Sequence, residues 1–93
     1  MIVEICANGY ESASNAQLCG ADRIELCTQL AVGGLTPSRD EISDVIKNLK
    51  IEVHVLIRPR KGDFVYSGQE LNTMIEDIKF CKEIGCHGVV SGV

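Results

Sequence analysis

The sequence has no tryptophan, only two tyrosines and two phenylalanines, and only two prolines in 93 residues. A core must therefore be built from aliphatic side chains and cysteine, and a proline-rich linker or recognition segment is excluded. No apolar run approaches the ~18 residues of a membrane span. Glu4 interrupts the N-terminal stretch where a secretory signal would need its apolar segment. Positive charge is in deficit: nine Lys and Arg against thirteen Asp and Glu give a net charge of −4. That balance argues against a nucleic-acid partner or an anionic membrane surface, so any anion site must be local. The five cysteines include no Cys-x-x-Cys pair, and His54 and His87 do not sit at zinc-finger spacing. An odd number of cysteines in segments that read as regular structure points to free thiols and a cytoplasmic location. No Walker loop, Gly-x-Gly-x-x-Gly or Ser-His-Asp spacing is present.

What is there reads as one small α/β domain over residues 1–93. Short apolar runs at Met1 to about Ala7, Asp22 to Cys27, Ile51 to Arg58 and His87 to Val93 predict four strands. Between them lie three helix starts, each a capping residue followed three positions later by Glu: Asn8 and Glu11, Ser38 and Glu41, Ser67 and Glu70. Ile42, Val45, Ile46 and Leu49, and then Leu71, Met74, Ile75, Ile78 and Cys81, fall at helical spacing and give each of those helices a face to bury. Gly20 and Gly85 stand where a left-handed residue ends a helix. The order is β-α-β-α-β-α-β, which requires parallel strands joined by right-handed crossovers.

Alternation along the strands decides between sheet types. One parity is apolar, Val3 and Ile5, Ile24 and Leu26, Val53, Val55 and Ile57, and is expected under the helices. The other carries Glu4 and Cys6, Arg23, Glu25 and Cys27, His54, Leu56 and Arg58. A doubly wound sheet would be apolar on both faces, so the charged second face fits a barrel lumen. A full barrel needs about 200 or more residues. The predicted fold is thus the N-terminal half of a TIM (β/α)8 barrel, whose open edges in a lone chain call for self-association as a homo-oligomer or for a missing C-terminal half-barrel.

Candidate chemistry lies at the strand ends. Glu4 and Glu25 are candidate acid and base groups, or else part of an ion-pair network with Arg23 and Arg58 that fills the lumen. Cys6 and Cys27 fall at equivalent places on neighbouring strands, about 4.8 Å apart if they pair directly. There they either hold a soft ion such as Cu(I) or pack as small apolar groups. Arg58 and Arg60, in the segment Arg58-Pro59-Arg60-Lys61-Gly62-Asp63-Phe64, could bind a small carboxylate or phosphate ligand, or lie on a solvated loop. Cys19, Cys81 and Cys86 read as packing residues. His54 reads as a core histidine.

Several segments together resemble the copper homeostasis protein CutC family, in register and in order. They are Glu4-Ile5-Cys6, Gly20-Ala21-Asp22-Arg23-Ile24-Glu25-Leu26-Cys27, Gly33-Gly34-Leu35-Thr36-Pro37-Ser38 and Ile57 through Phe64. Lys61 departs from the glycine usual there. The resemblance implies a TIM barrel, a cytoplasmic protein connected with copper, and Cu(I) ligation by Cys6 and Cys27. Three readings follow: a copper-binding homeostasis protein, a barrel enzyme acting on a small anionic metabolite, and an inactive half-barrel.

Overall fold

The computed structural model describes residues 1–91, in which a single sheet is backed by three helices. The strands are β1 (Glu4–Asn8), β2 (Arg23–Cys27), β3 (Glu52–Ile57) and β4 (Gly88–Ser91), and the helices are α1 (Tyr10–Leu18), α2 (Arg39–Asn48) and α3 (Gly68–Ile84). A short 3-10 turn at Leu30–Val32 interrupts the connection after β2. The strands pair in parallel in the order β1-β2-β3-β4. Sequential order combined with a constant crossover hand places every helix on the same face, whereas a doubly wound sheet reverses direction and is covered on both. The core agrees: Ala7, Ile24, Leu26, Val53, Val55 and Ile57 of one sheet face pack with Ala13, Ala16, Ile42, Val45, Met74 and Cys81 of the helices. The other face carries the polar side chains. The fold is therefore the N-terminal half of a (β/α)8 barrel.

The cap readings divide. Ser67 and Glu70 form a full capping box at the start of α3. Ser38 accepts from the Glu41 backbone N–H at 3.2 Å, but no return bond from the Glu41 side chain forms. Its Oε1 is buried without a partner and would stand 3.3 Å from a Cβ on Gly9. Asn8 is not a cap: it ends β1, and α1 starts from Gly9 without a side-chain cap. The helix signal competed there with strand pairing, since Asn8 pairs with Cys27.

Two further expectations need correction, and a third falls partly outside the described residues. β1 starts at Glu4, so Val3 lies outside the strand and is 43% exposed. Its N–H donates to Asp22 Oδ2 at 2.7 Å and its carbonyl accepts from the Asp22 N–H, which ties the strand entrance to the turn before β2. In α3 only Met74 and Cys81 of the apolar stripe are buried, while Leu71, Ile75 and Ile78 remain exposed because no further element of the described residues covers them. The last strand was read to Val93; Gly92 and Val93 lie outside the described residues, and β4 is described to Ser91.

Candidate functional site

Parallel pairing puts opposed residues on the same side of the sheet, so the register assembles the lumen face in rows. The lowest row is Glu4, Arg23 and Glu52, and the next is Cys6, Glu25, His54 and Gly88. Towards the C-terminal ends of the strands, Asn8 pairs with Cys27 and Leu56 with Val90. Cys6 and Cys27 thus share a face but do not pair directly. Cys6 stands opposite Glu25, and Cys27 lies one pleat further up β2, on a diagonal from Cys6. Counting residues from each strand's start placed them level, and the register displaces them by two residues.

The two thiols differ in setting. Cys6 is exposed to the open side of the half-barrel. Cys27 is buried, with its Sγ 3.7 Å from the Ala7 carbonyl, to which the thiol donates. Partial desolvation by its neighbours raises the Cys6 pKa first, with the negative charge of Glu25 and Glu4 adding to it. Burial likewise raises Cys27, followed by the charges of Cys6, Glu25 and Glu41. Both are therefore thiols at neutral pH, and a metal ion must displace their protons. Among the described residues no group of three His, Cys, Asp or Glu side chains is placed to hold an ion.

Glu25 is pushed above the ordinary carboxylate range by burial, then by the charge of Glu4 and a hydrogen bond with it, while His54 pulls the other way. Glu4 also accepts from Arg23 Nε at 2.5 Å. Half of the expected ion-pair network is thus present, as Glu4 with Arg23. His54 is not a core residue; it stands half-buried in the lumen row, its Nε2 2.7 Å from Glu52 Oε1.

Arg58 is separate from that network. Its Nη1 donates to the carbonyls of Val32 at 2.7 Å and Gly34 at 3.2 Å, and its Nη2 to the Gly62 carbonyl at 3.1 Å. The Phe64 ring lies 5.2 Å from the guanidinium carbon. Gly33 and Gly34 make this cradle: both have φ of +91°, and a Cβ on Gly33 would stand 2.9 Å from Arg58 Nη1, on Gly34 2.9 Å from Leu56 Cδ2. The glycine pair thus lets a turn close over Arg58 and Cys27. Arg60 is equally engaged: Nε donates to Glu70 Oε2 at 2.5 Å, and Nη2 to Asp63 Oδ1 and to the Val65 carbonyl. Glu70 is held below the ordinary carboxylate range by the Ser67 backbone N–H and then by Arg60. The two arginines fold their own loop, and an anion binding there would compete with these bonds.

The geometry defines a class: a half (β/α)8 barrel with thiols and carboxyls gathered on its lumen face. The CutC family model matches residues 1–93, and the chain belongs to that family. A CutC family protein of Pasteurella multocida is 47% identical over 92 residues, covering 99% of this chain and 38% of its own length. The human copper homeostasis protein cutC homolog is 47% identical over 91 residues, 98% of this chain and 33% of its own. A crystal structure of CutC from Streptococcus agalactiae superposes with a TM-score of 0.91 at 39% identity, covering this whole chain and 46% of that one. The chain thus spans less than half the length of these relatives.

Proposed function

We propose that the chain serves copper homeostasis, with Cys6 and Cys27 of the lumen face taking Cu(I). The observation that carries the reading is the diagonal placement of two thiols on adjacent strands of one face, with no third donor cluster among the described residues. Two soft sulfur ligands without a third or fourth donor suit Cu(I), whereas zinc takes four in structural sites. Membership in a family with a relative named for copper homeostasis supports the same choice. All five cysteines are free and no described helix is long and apolar enough to cross a membrane, which fits a reducing cytoplasm as the compartment.

Glu4 and Glu25 are proposed as the proton-holding neighbours of that pair. Glu25 stands opposite Cys6 and can receive a proton that metal binding releases. The exposed edges of β1 and β4 are proposed to be covered by the remaining barrel strands or by a second copy of the chain. Competitive Cu(I) titration under anaerobic, reducing conditions tests the reading. Cys6→Ser and Cys27→Ser should each weaken the lumen step by about tenfold or more, since a two-ligand site loses half its donors. Unchanged titrations in both variants would remove the lumen pair as the copper site.

A further inference from the structure

The end of α3 holds two more thiols, and their placement follows from the way the helix stops. Gly85 has φ of +92°, its N–H donates to the Lys82 carbonyl at 3.4 Å, and the Cys86 N–H donates to the Cys81 carbonyl at 2.9 Å. That pair of bonds is a Schellman cap, which folds the residue after the left-handed glycine back onto the helix four to five positions earlier and brings those two side chains into contact. Here both are cysteines. Both line one cavity of about 210 Å³ with Ile78, Lys82, Gly88 and Val89. Cys81 is 1% exposed and forms the floor, while Cys86 is half-buried.

We propose that Cys81 and Cys86 form a second soft-metal site, on the helix side of the sheet and independent of the lumen pair, that takes Cu(I) by two sulfurs. Binding releases two protons and leaves a bis-thiolate complex with one net negative charge, and the cation of Lys82, a residue lining the same cavity, is proposed to offset it. The remaining wall is apolar and offers no third donor, since no group of three His, Cys, Asp or Glu is placed to hold an ion among the described residues. The site therefore discriminates against zinc, whose structural sites need four ligands, and favours a d10 monovalent ion content with two. The helix-end geometry supplies preorganisation: the cap bonds set both cysteines on one cavity wall before any ion arrives.

The test uses anaerobic Cu(I) titration against a chromogenic chelator with the Cys6→Ser/Cys27→Ser chain, in which the lumen pair is absent. One equivalent of Cu(I) should remain bound, unaffected by excess Zn(II). Adding Cys86→Ser should weaken it at least tenfold, and Cys86→Met, which restores a soft sulfur, should recover part of the loss. Should the lumen double substitution unfold the chain, wild type and Cys86→Ser are compared directly and should differ by one equivalent. No retained equivalent, equal binding in Cys86→Ser, or displacement by Zn(II) would overturn the proposal. Failure of the lumen reading is distinguishable, because Cys86→Ser would then abolish all tight binding.

Discussion

The two faces of the sheet are made by the same strands, residue by residue in turn, yet they obey different rules. On the helix side Ile24, Leu26, Val53, Val55 and Ile57 are at most 1% exposed, and their identity is set by close packing. On the lumen side Glu4, Cys6, Glu25 and His54 are polar and partly open, and their identity is set by what stands across the register. The first face stabilises the fold; the second, apart from the buried Cys27 and the cradled Arg58, is open enough to carry chemistry. Fold and site are written at different ranges in this chain. The fold rests on a two-residue alternation within each strand, while the site rests on how far neighbouring strands slide past one another.

The largest effects should separate the faces. Leu26→Ala, at a fully buried position, should cost about 2 to 5 kcal/mol in urea unfolding. Glu25→Gln one residue away should change stability by no more than about 1 kcal/mol. Equal losses would mean that the lumen face is also a packed core.

Between these lies the Arg58 cradle, where a lumen-side residue does structural work. Gly33→Ala combines a left-handed backbone with a Cβ 2.9 Å from Arg58 Nη1 and should cost about 1 to 3 kcal/mol. Amide hydrogen exchange should quicken in residues 29–36 and 58–64 together. Quickening confined to residues 29–36 would show that Arg58 does not tie the two loops.

The smallest effect is electrostatic. The folded-state pKa of Glu25 is raised, by burial first and Glu4 second. Its contribution is therefore fully present below the unfolded pKa and is lost as pH rises through the higher folded value. Wild-type stability should fall relative to Glu25→Gln across that window, and a difference that is flat with pH would remove the carboxyl pairing.

Much of the architecture was legible because its signals are local. Helical spacing, the Ser67 and Glu70 capping box and the left-handed Gly85 each lie within one turn of chain, and the apolar parity of β2 and β3 needs only the strand itself. Asn8 was misread because the same residue satisfies a capping pattern and a strand pairing, and the pairing won. Cys6 and Cys27 were read as level because register is a property of two strands. Arg58 offered a fork that the sequence could not show to be occupied, since its acceptors are the carbonyls of Val32, Gly34 and Gly62, whereas Arg60 is held largely by the side chains of Glu70 and Asp63. Carbonyl acceptors leave no compositional trace. Cys81 and Cys86 were taken only as packing, although their five-residue separation across a helix-ending glycine already brings their side chains together.

We propose that copper binds on the lumen face at Cys6 and Cys27. The most direct measurement is an anaerobic Cu(I) titration of the 15N-labelled Cys86→Ser chain followed by amide chemical shifts, since Cu(I) is diamagnetic and leaves every signal visible. The largest changes are expected at Cys6, Asn8, Glu25 and Cys27, saturating at one equivalent. Changes centred elsewhere, or none at one equivalent, would contradict it.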